Sequence, residues 1–482
     1  MVKYSLIKMG EDDMQQELIV KPILVYSVVK RKERTSWRGW GKILSEEDAK
    51  QERDRINKEL AELKDKAEFP INILPISTIK SEDELDKITD IEKSDVILVY
   101  AAGGFINIFQ EKLYRFLHKG KHLIFFLRHK SGPLYLWYEV LHPLFLRNSL
   151  DEVFKPDVSV KDVVVDDYEE ILWRLRALYG LKNTIGRRVV VIGRPWGWGT
   201  YGEFFGPYNA KKIWKLDLIT VTYEELGRRI KAAKNNPEYV DKARQLMETY
   251  LKEPGVKLAT KEKFVLNAFI LYLVFKDLLK EYDADVITVN ECMTTIIPIA
   301  DTTACLTLSV LNDEGYLAFC ESDFVAIPAG ILLHYISRKP VAIVDPTFPH
   351  HGIVTVAHCT APRRLSGKGR EPATIVTHYE SDYGAAPKVW MKKGQVITVI
   401  DPDFFGKMWI GFRGTIIDVP SLPICRSQAD IKIEGDWELL LDKMRGFHWV
   451  FVYGDYLKEF AYALRKVGIG WLDITNKGPS KS

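Results

Sequence analysis

Arg187-Arg188-Val189-Val190-Val191-Ile192-Gly193 is the stretch on which the fold turns. Four β-branched residues in a row, closed by a glycine, read as a strand buried on both faces, and such strands belong to parallel sheets covered by helices. A helix running through Tyr179 precedes it. Helical runs follow at 223–233, 237–252 and 261–282, and a further strand at 285–289 ends in Asn290-Glu291. Residues 322–337 read as one more helix and 340–344 as the next strand. Alternation of this kind predicts a doubly wound α/β domain.

Working outward, the same grammar fills the first third of the chain. Residues 22–26, 71–76, 95–100 and 123–127 read as strands, the third running into Gly103-Gly104, with a helix ending at His118. A long charged helix over 45–66 is opened by Ser45 with Asp48 three residues on, close to a capping box. After Asp345 the pattern changes to short alternating runs, 353–357, 374–378, 395–400 and 409–417, broken by Gly and Pro, which predicts an antiparallel sheet or barrel. A last helix is expected over 456–467 and a disordered tail over 476–482. The expected architecture is therefore α/β: two doubly wound parallel-sheet domains, 1–166 and 167–343, followed by a β-rich, barrel-like C-terminal domain, 344–482. A chain of 482 residues agrees with that number, at roughly 100 to 200 residues per domain.

Composition narrows the class. Lys plus Arg number 68 against 65 Asp plus Glu, a net charge of +3, so nothing demands nucleic acid or a membrane surface. The most apolar helical run, 264–275, is interrupted by Asn267 and is too short to span a bilayer. Met1-Val2-Lys3-Tyr4-Ser5 shows no signal-peptide core. The five cysteines, Cys292, Cys305, Cys320, Cys359 and Cys425, are scattered, odd in number and without CxxC spacing. That argues against a disulfide framework or a thiolate zinc site and makes a reducing cytoplasm the simplest compartment.

The chemistry gathers in the second half. Glu321 in Cys320-Glu321-Ser322-Asp323, Asp345 in Val344-Asp345-Pro346, His358 in Ala357-His358-Cys359 and His448 in Phe447-His448-Trp449 each sit at the edge of an apolar run. Two carboxylates and one or two imidazoles can hold a divalent cation and leave positions open for a substrate. Each residue alone has a plainer reading. Glu321 also suits the start of the helix after it, Asp345 before a proline also opens turns, and His448 between aromatics also suits a hydrogen-bonded core position. His358 reads equally as ligand, substrate contact or buried turn residue. Glu291 lies at a strand's C-terminal mouth, where ligands bind in α/β sheets. Trp196 and Trp198, in Gly193-Arg194-Pro195-Trp196-Gly197-Trp198-Gly199, offer rings for stacking on a sugar or for packing an interface. The pair His350-His351 reads as an exposed loop. Arg363, Arg364, Lys368 and Arg370 read as a solvated loop, or else as a site for a substrate phosphate or sulfonate.

Three stretches resemble the L-fucose isomerase-like family of sugar isomerases: Leu311-Asn312-Asp313-Glu314-Gly315 leading into Cys320-Glu321-Ser322-Asp323, then Ala357-His358-Cys359-Thr360-Ala361-Pro362, and His448 to Asp455. The resemblance runs from about Ala284 to Asp455. It implies manganese, or another divalent metal such as Mg²⁺ or Co²⁺, held by Glu321, Asp345 and His448, with His358 as the extra histidine of the related arabinose isomerases. It also implies interconversion of an aldose and a ketose through an enediolate, with Glu321 and Asp345 as acid and base, and a trimer or hexamer in which Trp37 and Trp40 help a neighbouring subunit close its site. The chain is shorter than typical fucose isomerases and has Asp345 where arabinose isomerases have a second Glu, so the substrate, a pentose, 6-deoxyhexose or related sugar, does not transfer with the site. Metal-dependent lyases, aldolases and epimerases use similar chemistry on similar scaffolds, and a non-catalytic sugar-binding protein is the third reading.

Overall fold

The computed structural model describes residues 15–103, 109–138, 140–141, 146 and 158–476. Gly104 and the expected tail beyond Asn476 lie outside the described residues, as does the N-terminal stretch read for a signal peptide. The chain divides into two compact units, Gln15–Tyr179 and Gly180 onward.

The first unit is built on a parallel sheet in the order Ile71–Ile73, Leu18–Val25, Val96–Ala101, His122–Leu127, Val163–Val165, with Ser77–Ile79 also paired to Leu18–Val25. The expected strand over 71–76 holds only for Ile71–Ile73, ending before Pro75, and Ser77–Ile79 is a separate short strand beyond it. The helix Glu46–Lys66 starts as its sequence demands. Ser45 accepts from the Asp48 N–H while Asp48 accepts from the Ser45 N–H, so two amides that a helix leaves unpaired are satisfied together. That helix supplies Glu52 and Glu59 to a fully buried Arg128, at 2.6 and 2.5 Å.

The second unit has two layers of chemistry. Its parallel sheet runs Leu317–Cys320, Val286–Val289, Arg188–Ile192, Asp217–Val221. Val289 is in register with both Cys320 and Ile192, so the three strands end level and the residues that follow each of them gather at one edge. The helix Glu262–Glu281 is buried along most of its length, and Asn267, which interrupts its apolar run over 264–275, donates to Asp301.

Six antiparallel strands then close into a barrel: Ala342–Pro346, Ile353–His358, Ser427–Ile433, Met408–Asp418, Val396–Asp401 and Trp449–Tyr453, the last pairing back to the first. Gly470–Asp473 adds a parallel strand outside the ring. The expected strand over 374–378 is not a barrel strand. It appears as Ala373–Val376, in a small sheet with Ala386–Val389 and Val256–Leu258.

Two local expectations need correction, and both concern the site. The helix expected over 322–337 begins only at Ile327. Glu321 and Ser322 hold left-handed backbone, φ 65° and 49°, and the Asp323 side chain accepts the Val325 N–H at 3.0 Å, a local turn that competes with helix. Asp345 does not open a turn. It sits inside Ala342–Pro346, paired with Ala357, and Pro346 is tolerated because it is the strand's last residue.

Among the described residues no single helix is long and apolar enough to cross a membrane. A bent pair, Cys292–Ala300 and Cys305–Asp313, has the length and composition of a span, but it turns through 91° and every residue of Cys305–Asp313 is buried in the protein.

Candidate metal centre and its cavity

Strand register assembles the site. In the barrel Val344 lies opposite Trp449, and Asp345 opposite Ala357. Asp345, His358 and His448 therefore emerge at the same end of the barrel. Glu321 comes to them from the C-terminal edge of the parallel sheet, swung by its left-handed backbone. A glutamate in that conformation is strained by its Cβ, a cost usually found where a side chain is aimed for function.

One ligand atom each from Glu321, His358 and His448 lies within 4.8 Å of the other two. His448 Nε2 stands 3.6 Å from Glu321 Oε2, and His358 Nε2 stands 3.7 Å from Glu321 Oε1. Asp345 Oδ1 is 3.2 Å from His448 Nε2. Both Nε2 atoms are buried and have no aligned hydrogen-bond partner among the described residues. A buried ring nitrogen left unpaired costs about 1–3 kcal/mol. A cation bound there would remove that cost, and a set of carboxylate oxygens and imidazole nitrogens suits Mn²⁺, Mg²⁺ or Co²⁺.

The other ring nitrogens are already engaged. His448 Nδ1 lies 2.8 Å from Asp323 Oδ2, an acceptor, so Nδ1 carries the proton and Nε2 is left for a ligand. His358 Nδ1 lies 3.0 Å from the Thr360 hydroxyl. Asp323 and Thr360 are thus the residues that orient the two imidazoles, and motif reading passed over both. The signal for Asp323 was a second acid two positions after Glu321 in a short motif, invisible as an orienting group until His448 is beside it.

Charges in this cluster are pushed apart. Burial raises the Glu321 carboxyl above its usual range, against the pull of the two histidines. Burial would also raise Asp345 and lower His448, but their mutual contact wins: Asp345 is held below the ordinary carboxylate range, and His448, between Asp323 and Asp345, is pushed up to about 10. Without a metal the imidazole holds a second proton.

A cavity of about 330 Å³ opens over Glu321 and His358, a volume at the small end of ligand sites. Its walls include Trp196, Trp198 and Glu291. Trp198 donates its indole N–H to Glu321 Oε2 at 2.6 Å and stacks on Phe447 at 4.6 Å. The Trp196 N–H is buried without a partner among the described residues. Gly197 sets both rings in place, because a Cβ there would sit 2.3 Å from the Gly202 carbonyl oxygen. Glu291 is also left-handed, φ 47°, accepts from the Thr295 hydroxyl at 2.8 Å, and leads into a π-helical turn, Cys292–Ile296, a form enriched at functional sites.

Other expectations fall away from the centre. His350 and His351 are exposed. Arg363 is fully buried and pairs with Glu253 at 2.7 Å, Arg370 pairs with the same Glu253, and Arg364 donates to Asp313. The expected solvated loop thus holds for the exposed Lys368, whereas Arg363 is buried, Arg364 and Arg370 are half-buried, and all three arginines are engaged by acidic residues of the chain. In the first unit Trp40 is exposed and meets Trp137 at 4.7 Å.

Comparison of the chain with protein-family models and with curated protein sequences gives no match. The fold and site by themselves define an α/β protein with a closed antiparallel barrel and a metal-competent cluster of which Glu321 and His358 line a small cavity.

Proposed function

We propose that the chain is a metal-dependent aldose–ketose isomerase acting on a pentose, a 6-deoxyhexose or a related sugar through an enediolate. The observation that carries this reading is the convergence of His358 Nε2 and His448 Nε2 on Glu321, with Asp345 3.2 Å from the His448 nitrogen, beside a cavity that Glu321 and His358 line. The resemblance of three stretches to sugar isomerases supports the same reaction class. Glu321, Asp345 and His448 would hold the cation, with His358 in reach, and the ion would polarise neighbouring sugar oxygens.

The chain's own work is proton transfer and positioning. Isomerisation takes a proton from one carbon, returns it to the next, and moves another between their oxygens. Glu321 lines the cavity, and burial brings its carboxyl toward the range where it can both give and take a proton. Asp345, kept ionised by His448, shares the acid–base role. Trp198 fixes one Glu321 oxygen, and the Trp196 N–H offers a hydrogen bond to a sugar hydroxyl. In line with this reading the protein works as a homo-oligomer, a trimer or hexamer, in a reducing cytoplasm.

The test is protein stripped of metal, resupplied with Mn²⁺, Mg²⁺ or Co²⁺, and assayed for ketose across pentoses and 6-deoxyhexoses. Metal-dependent ketose of unchanged formula is the expected product. Cleavage or an epimer in its place moves the assignment to a lyase, aldolase or epimerase, and tight sugar binding without turnover to a binding protein.

A further inference from the structure

Asp401 is a buried carboxylate outside the cavity that neither the metal cluster nor the proposed chemistry uses. It is the last residue of the barrel strand Val396–Asp401, whose neighbour is Trp449–Tyr453, with Ile400 opposite Val450. The segment that leads into that neighbour, Arg445 to His448, crosses the Asp401 end of the pair. Both carboxylate oxygens are committed to it: Oδ2 accepts the Arg445 N–H at 2.8 Å and Oδ1 accepts the Gly446 N–H at 2.6 Å. Asp401 is fully withdrawn from water, where a carboxylate is costly unless hydrogen-bonded, and two amides of an irregular segment need acceptors as much as it needs donors.

Gly446 lets the segment come this close, because a Cβ there would stand 2.6 Å from the Pro402 carbonyl oxygen and 2.9 Å from Asp401 Oδ1. The two residues after this clip are the ones that reach the centre. His448 sets Nδ1 2.8 Å from Asp323 Oδ2 and Nε2 3.6 Å from Glu321 Oε2. Phe447 stacks on Trp198 at 4.6 Å with the planes 11° apart, and Trp198 donates to the same Glu321 oxygen at 2.6 Å. Phe447 is exposed, so core packing does not fix it and its place depends on the backbone that carries it. One clip therefore stands behind both the imidazole and the ring that holds Glu321.

We propose that Asp401 is a positioning residue of the centre: by holding the Arg445 and Gly446 amides it sets the place of His448 and, through Phe447 and Trp198, that of Glu321. A carboxylate is required rather than any polar group of its size. An amide in its place would turn an N–H toward one of the two backbone N–H donors. The inference rests on the metal-site reading only where metal affinity is its measure; the placing of His448 by Asp401 stands with or without an ion, and whichever reaction the centre performs.

The experiment uses the full chain with nitrogen-15-labelled histidine rings, stripped with chelator, unaltered and as Asp401→Asn, Gly446→Ala and Asp313→Asn. Asp313 is the control: it is as buried and accepts a backbone N–H, from Arg364 at 2.7 Å, but it lies at the opposite end of Cys305–Asp313 from the cavity wall. Two quantities are read, the His448 ring-nitrogen resonances, assigned with His448→Gln, and Mn²⁺ affinity by calorimetric titration. Asp401→Asn and Gly446→Ala are expected to move the resonances away from those of the Asp323-bonded ring and to weaken Mn²⁺ binding about 10- to 100-fold. Asp313→Asn is expected to lower the melting temperature and leave both readings unchanged. Resonances unmoved in Asp401→Asn, or Mn²⁺ affinity unchanged in it, overturn the inference, as does an equal loss of affinity in Asp313→Asn. Should the unaltered protein take up no Mn²⁺, the metal reading fails separately and the ring resonances alone decide the role of Asp401. Should Asp401→Asn not fold, hydrogen exchange of the unaltered protein decides: Arg445 and Gly446 amides as protected as those of the barrel strands support the clip, and exchange at the rate of an exposed loop overturns it.

Discussion

At the scale of single residues, the cluster turns the Nε2 atoms of His358 and His448 toward Glu321 and Asp345 while Asp323 and Thr360 hold the other ring nitrogens. If the proposed isomerisation holds, Glu321→Gln keeps the size and removes the oxygen proposed to transfer the proton, and turnover is expected to fall by about 10²–10⁴ in steady-state assays. Asp323→Asn touches no cavity wall, yet it removes the acceptor that sets the His448 tautomer. Metal affinity is then expected to drop about 10- to 100-fold, read by calorimetric titration with Mn²⁺. The same histidine sets a pH dependence. Its pKa stands at about 10 against an ordinary 6.5, so the stability it lends the metal-free chain is complete below 6.5 and fades as pH rises through 10. Because an incoming ion must displace that proton, metal affinity is expected to rise by up to about tenfold per pH unit over the same window. Thermal melts of stripped and loaded protein at several pH values should diverge as pH increases; parallel curves would sink the assignment of His448 as a ligand.

Elements carry the next layer of argument. Gly197 is a loop glycine whose importance lies in what touches it, and Gly197→Ala forces a Cβ against the Gly202 carbonyl. A cost of about 1–3 kcal/mol is expected, with altered tryptophan fluorescence from Trp196 and Trp198, because the loop must shift to relieve the clash. The helix Glu46–Lys66 is the opposite case, where local sequence was sufficient. Ser45 and Asp48 were legible as a cap because both partners lie within four residues. The start of Ile327–Ser337 was not legible, since Glu321 to Ala326 have no pattern that announces two left-handed residues and an Asp turn. Strands of the barrel were readable as alternating runs, but their partners were not. Which strand joins which depends on contacts far apart in the chain, and the run beginning at Ala373 went to a different sheet.

For the whole molecule, burial decides what each charge means. Arg128 and Glu52 are both withdrawn from water, so neither survives loss of the other. Arg128→Met is expected to cost about 3–5 kcal/mol of stability in urea unfolding, since two carboxylates lose their cation. Exposed pairs such as Lys66–Glu169 are screened by water and salt, and Lys66→Met should leave the unfolding midpoint close to unchanged. Arg363, which looked like part of a solvated basic loop, belongs with Arg128 in the buried class.

Local periodicity and capping determined the elements, because the forces that make a helix or strand act over a few residues. So the α/β alternation, the β-rich end and the residue types able to bind a metal could be read along the chain itself. Convergence was decided only in three dimensions. Closure of the barrel brought Asp345, His358 and His448 to one end, level strand ends delivered Glu321 to them, and the same folding drew five widely spaced cysteines to one cavity wall. Those meetings join residues up to more than a hundred positions apart, and no local pattern encodes a contact of that range.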